Sequence, residues 1–196
     1  IRGAGNILGA SQSGFIDSVG FEMYSQLLEE AIAKKQGQEH RRQKSNAELN
    51  LQIDAYLPNE YISDQRQKIE IYKQIREMNS EADYEYLQDE LIDRFGEYPD
   101  VVAYLLEIGF IKSYLDQVFV KVVDRKDNQL TVKFEPITKQ LFLTQDYFAA
   151  LSATNLKARI AESQGLIELI FDVRNKKDFE ILEGLRQFGE KLLAIK

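Results

Sequence analysis

The chain has 196 residues, 44% hydrophobic and 29% charged, a composition that suits one substantial globular domain with an appendage. It holds no cysteine, which excludes disulfides, thiolate zinc sites and cysteine nucleophiles, and its single histidine, His40, set in a polar run, gives no histidine metal cluster and argues against a histidine-based triad. The net charge is −7, and no apolar stretch approaches the ~18 residues that cross a bilayer, so no membrane partner and a cytoplasmic location are expected.

Residues 1–20 are turn-rich, with Gly3, Gly5, Gly9, Gly14 and Gly20. The chain opens at Ile1 without an initiator Met, which suggests a piece of something longer. An amphipathic helix is predicted from Phe21 to about Lys35, with Phe21, Tyr24, Leu28 and Ala31 on its apolar stripe. Residues 36–48 read as a solvated linker, and the basic run Lys34, Lys35, Arg41, Arg42 and Lys44 faces one acid, Glu39. From Leu49 to Ala55 apolar and polar residues alternate as in a half-buried strand, which Pro58 ends.

A helix then runs from about Asp64 to Met78, with Ile69, Tyr72 and Ile75 on its core side. Ser80-Glu81-Ala82-Asp83 has the form of a capping box and opens a helix through Phe95 that Gly96 stops. After Pro99, Asp100 can cap a third helix with the stripe Val101, Leu105, Ile108 and Ile111 or Lys112. From Gln117 the period changes to two. Val118–Val123 and Leu130–Glu135 form one expected hairpin, and Leu156–Ala161 and Leu166–Val173 a second that turns at Ser163-Gln164-Gly165. Thr144 to Leu151 reads as a short helix. Lys177 to Ile195 reads as a last one, with Phe179, Leu182, Leu185 or Arg186, Phe188 or Gly189, and Leu192 near core spacing. Helices first and strands later predict an α+β domain, with helices packed on an antiparallel sheet over residues 49–196.

The opening Arg2-Gly3-Ala4-Gly5-Asn6-Ile7-Leu8-Gly9 invites a phosphate-cradling reading, which fails on its spacing. The third position of a dinucleotide fingerprint is Leu8, no strand precedes it, and no lysine occurs before Lys34 to serve a P-loop. The same run resembles something else. Together with Ser11-Gln12-Ser13-Gly14, Val19-Gly20-Phe21-Glu22-Met23-Tyr24 and Leu27-Leu28-Glu29-Glu30-Ala31, it is similar to the translocation motif shared by the transcription-repair coupling factors and the helicase RecG. Ile53-Asp54-Ala55-Tyr56-Leu57-Pro58, Tyr61-Ile62, Glu90-Leu91-Ile92-Asp93-Arg94-Phe95-Gly96 and Pro99 resemble the C-terminal domain of the coupling factors.

The resemblance makes residues 1–35 the end of the translocation motif, a helical-hairpin remnant. Arg2 and Gln12 match the family residues that link ATP hydrolysis to movement on double-stranded DNA. It implies that ATP and Mg belong to motor lobes outside this sequence, so the fragment is expected to bind no cofactor and to be no enzyme by itself. It also implies a regulatory role for residues 49–196: folding against a UvrB-like N-terminal module of the same protein, masking the surface that recruits UvrA, and restraining the translocase until it engages stalled RNA polymerase.

Residues 48–107 carry fifteen acids against five bases, which disfavours a DNA grip. On the helix 80–95, Tyr84, Leu87, Leu91 and Phe95 share one side, while Glu85, Asp89 and Asp93 lie opposite at i, i+4, i+8 and Glu90 flanks Asp93. Paired carboxylates doing acid/base work need a cleft that splits their pKa values, and these read as a solvated face, so no catalytic or metal residue is assigned. The alternatives are a solubilising helix face or a protein contact in which Glu90 and Asp93, with Asp89 and Glu85, meet arginines. Two other functions stay open: a recruitment module for RNA polymerase or another repair protein, and a DNA-binding accessory domain.

Overall fold

The computed structural model describes residues 44–196. Arg2, Gln12, the helix expected at 21–35 and most of the linker with its basic run lie outside the described residues. In chain order the elements are β1 (Glu48–Asn50), α1 (Gln65–Glu77), α2 (Glu81–Phe95), α3 (Asp100–Gln117), β2 (Val120–Lys126), β3 (Gln129–Phe134), α4 (Thr138–Leu141), α5 (Thr144–Ser152), β4 (Lys157–Ser163), β5 (Leu166–Asp172) and α6 (Asp178–Ile195).

The strands form one sheet in the order β1-β2-β3-β5-β4. Both expected hairpins are present, and β3 joins them through β5 antiparallel, Val132 opposite Leu169. The α+β class is as expected, while the sheet is mixed: β1 runs parallel to β2, with Leu49 opposite Val123. The reason is connectivity. Between β1 and β2 the chain passes through α1, α2 and α3, and a crossover of that length brings a strand back in the same direction. Leu130, Val132, Leu169 and Phe171 are fully buried on one face of the sheet. There Phe134 meets Tyr147 of α5 and Phe171 meets Phe188 of α6, ring centroids 5.2 and 5.7 Å apart. The opposite face carries the exposed Lys133 and Arg159.

The alternation read from residue 49 holds over a longer span. Ala47, Leu49, Leu51, Ile53, Ala55 and Leu57 are each no more than 2% exposed. Only Glu48–Asn50 is a strand, because Gln52 takes a left-handed φ of 58° that turns the chain away from β2. The side chains repair the gap: Gln52 donates to the Arg125 carbonyl at 3.2 Å and Arg125 to the Leu51 carbonyl at 3.3 Å.

Three expected helix faces are corrected. In α1 the core side is Lys68, Ile71, Tyr72 and Ile75, with Ile69 only half-buried. In α6 it is Ile181, Leu182, Leu185, Phe188 and Leu192, and Phe179 is 52% exposed. The single stripe expected on α3 is instead burial nearly all round, since α1, α2, α6 and β2 all pack on this helix. Asp100 is its first helical residue and makes no cap; Pro99 occupies the cap position. Gly109 of α3 lets α1 approach closely, because a Cβ there would stand 2.5 Å from Ile75 Cγ2. Among the described residues no helix is long and apolar enough to cross a membrane.

Candidate protein-interaction surface

The acidic helix α2 forms as its signals predict. Ser80 accepts from the Asp83 N–H at 3.1 Å, and the Asp83 carboxylate takes the Asn79 N–H at 3.1 Å, so the cap reaches one residue further back than a standard capping box. Gly96 ends the helix with φ 84° and ψ −173°, a conformation that a Cβ would strain. Tyr61 locks that end: its hydroxyl donates to the Gly96 carbonyl at 2.7 Å and lies 3.1 Å from the Leu91 carbonyl, with one hydrogen to share between them, and its ring packs on Phe95.

Leu87 and Leu91 are buried against the core, each contributing about 1.5–3 kcal/mol. Tyr84 stacks on Phe110 of α3 at 4.8 Å, and burial pushes its hydroxyl pKa up to about 12. The inward face expected of α2 is therefore the observed one, and it fixes which residues point out.

Glu85, Asp89 and Asp93 are exposed, and among the described residues none of the three is held in an ion pair. Glu90 differs. Its Oε1 takes Arg94 at 3.1 Å, Arg94 also reaches Glu70 at 3.7 Å, and the guanidinium lies 5.0 Å from the Phe95 ring centroid. Glu90 Oε2 is buried without a hydrogen-bond partner among the described residues. The structure thus separates Glu90, engaged by its own domain, from the three open carboxylates.

Two residues missing from the sequence assignment belong to the same surface. Tyr86 is 69% exposed and Ile92 44% exposed. At ~100° per residue, Glu85, Tyr86, Asp89, Ile92 and Asp93 fall within an arc of about 120°. An apolar residue standing off the core period of an amphipathic helix was the available signal. Two apolar anchors among three open carboxylates make a surface suited to a basic partner with apolar contacts.

Among the described residues no group of three or more His, Cys, Asp or Glu side chains is placed to hold a metal. A cavity of 210 Å³ beside the β4–β5 turn is lined by Thr138, Lys139, Phe142, Tyr147, Glu162 and Ile167. It is smaller than the ~300 Å³ where ligand pockets begin.

A second polar cluster sits where the described chain begins. Asp116, near the end of α3, accepts from the Ala47 N–H at 2.7 Å and from Lys112 at 2.8 Å, while Lys112 donates to Asn46 at 2.8 Å. Ser45 donates to the carbonyls of Asp116 and Val120. Residues 45–47 are thereby packed as part of the domain. Burial lowers the Lys112 pKa, against the opposing pull of Asp116.

The comparisons with known proteins agree with this fold. The model of the TRCF domain matches residues 51–143. The transcription-repair-coupling factor of Staphylococcus epidermidis is 36% identical over the whole chain, and that of Bacillus subtilis 45% identical over 69% of it. The chain spans 17% and 12% of the length of these two relatives. A crystal structure of the C-terminal domain of transcription-repair coupling factor superposes with a TM-score of 0.78 at 72% identity, over 79% of this chain and 96% of that one. With the core, strand order and capped acidic helix accounted for residue by residue, this chain belongs to the transcription-repair coupling factor family and carries its C-terminal domain.

Proposed function

We propose that residues 49–196 act as a non-catalytic regulatory module: the exposed face of α2 docks on the UvrB-like module of the same protein, masks its UvrA-recruiting surface and restrains the DNA translocase until stalled RNA polymerase is engaged. The observation that carries this reading is the solvent arc of α2, where Glu85, Asp89 and Asp93 are open and Tyr86 and Ile92 lie among them. Carboxylates left unpaired by their own domain are available to arginines on a partner. The apolar pair supplies the area that a purely ionic contact lacks.

Within this reading Asp93 and Asp89 carry the contact and Glu85 flanks it. Glu90 supports it indirectly by holding Arg94 against Glu70 and Phe95. Arg2 and Gln12 keep their proposed coupling role in the whole protein, where ATP, Mg and duplex DNA are handled by the motor.

The test is calorimetric titration of this chain with the separately expressed UvrB-like module. One partly desolvated carboxylate–arginine pair is worth on the order of 1–3 kcal/mol, so Asp89→Arg/Asp93→Arg is expected to weaken association at least about tenfold. Unchanged affinity in that variant, with an unchanged melting temperature, removes α2 from the interface. Glu90→Arg is the contrasting variant: it loses the Arg94 tether and is expected to lower the melting temperature itself.

A further inference from the structure

The sheet ends at β4, and that edge has the makings of a pairing strand. Among the described residues β5 is its only ladder partner. β4 is seven residues long and contains no proline, and its register with β5 runs unbroken from Lys157–Asp172 to Ser163–Leu166. Short length, proline and bulges, which commonly blunt an edge, are all missing here. The turn Gln164-Gly165 has positive φ at both residues, 53° and 76°, the geometry in which the flanking pair closes the hairpin with hydrogen bonds. Ser163, Ala161, Arg159 and Lys157 therefore turn their backbone groups to β5, and Ala158, Ile160 and Glu162 turn theirs outward.

We propose that this edge pairs with β4 of a second copy of the chain, antiparallel about a two-fold axis at Ile160, so that the two sheets become one. In that register Ile160 faces Ile160 of the other copy and Ala158 faces Glu162, all three being residues with outward backbone groups. Arg159 falls opposite Ala161. Within each copy Ala161 in turn lies opposite Glu168 of β5. The guanidinium of one copy thus passes over the small Ala161 side chain of the other toward Glu168, two strand spacings or about 9.6 Å away, within the joint reach of arginine and glutamate. The two-fold makes this pair twice. Slipping the register by one pleat period in one direction brings Arg159 against Arg159, a like-charge contact, and in the other puts Arg159 opposite Ser163, whose own β5 partner is Leu166, so the line to Glu168 is lost.

The inference is independent of the role proposed for α2, which lies on another part of the domain. Strand pairing with two ion pairs buries less than the ~1,000 Å² of a stable interface, so the dimer is expected to form at high micromolar concentration and above.

Sedimentation equilibrium of the full 196-residue chain across a wide concentration range tests the proposal. The wild type is expected to show a monomer–dimer equilibrium. Arg159→Glu and Glu168→Arg are each expected to raise the dissociation constant about tenfold or more, and the swapped variant Arg159→Glu/Glu168→Arg to recover most of the loss. Ile160→Pro removes one outward N–H and no bond to β5, and is expected to abolish pairing. Thermal melting checks the fold of each variant, and the charge swap decides the matter if Ile160→Pro fails to fold. A chain that stays monomeric at every concentration overturns the proposal. So does a dimer indifferent to Arg159→Glu, or one that the swap fails to restore.

Discussion

Asp116 shows how much one side chain near the start of the described domain holds together. Its two carboxylate oxygens take Ala47 N–H and Lys112, its carbonyl takes Ser45, and Lys112 passes the tie on to Asn46. The Lys112 and Asp116 side chains are 7% and 11% exposed, so the cluster lies in a region of low dielectric. Replacing Asp116 by alanine leaves a buried ammonium and an orphaned amide. The expected loss is about 3–5 kcal/mol, read as a shift of the urea midpoint at unchanged slope. Lys112→Met/Asp116→Asn is expected to lose less than Asp116→Ala, because it removes both charges while the amide oxygen still accepts from Ala47 N–H. A cost below about 1 kcal/mol for Asp116→Ala would show that the cluster only decorates the packing.

At the scale of elements, the α1–α3 contact is set by Gly109. Alanine is the better helix former by about 1 kcal/mol, so on propensity alone Gly109→Ala would stabilise α3. The 2.5 Å approach to Ile75 Cγ2 reverses the sign, since a branched side chain in a closed core has nowhere to retreat. A net loss of about 1–3 kcal/mol is expected, and Gly109→Ala/Ile75→Ala should be less destabilised than the two single losses added together. Additive losses would mean that the helices already separate to admit the methyl group.

The same helices show what was legible beforehand. Local signals were read correctly at the Ser80 cap, the Gly96 stop and the Ser163-Gln164-Gly165 turn, since each depends on a few neighbouring residues. Period was read correctly where one face meets one partner, as on α2. It misled on α3, which has partners on several sides, and on α6, where Phe179 keeps the spacing but lies at the helix start outside the core. The β1 segment kept its alternation and lost most of its ladder because one left-handed residue, Gln52, left no pattern to read. The acidic face of α2 was visible as spacing. Its division into open and engaged carboxylates was only half visible: Glu90 and Arg94 stand at i, i+4, but Glu70, which Arg94 also reaches, lies on another helix. The Lys112–Asp116 cluster was out of reach for the same reason: its partners stand 66 and 69 positions away in sequence.

For the molecule as a whole, charge is sorted by region. Residues 48–107, which include α1, α2 and part of α3, carry fifteen acids and five bases; residues 118–177, which hold β2 to β5, carry ten bases and seven acids. The weak basic excess sits on the part that builds the sheet, and the net charge of −7 surrounds the whole with a field that repels phosphate. Non-specific DNA binding draws nearly all its free energy from neutralised phosphates and released counterions, and three surplus bases offer little of either. We therefore expect no anisotropy change when labelled duplex DNA is titrated with this chain at about 50 mM salt, where such binding is strongest. Lys133→Glu/Arg159→Glu should leave that result as it is. A signal that falls steeply with added salt, and that this double variant removes, would instead assign the open sheet face to DNA. The acidic face of α2, which repels phosphate, would remain free to meet a basic protein, so a DNA contact and the proposed regulatory contact would occupy regions of opposite charge in one small domain.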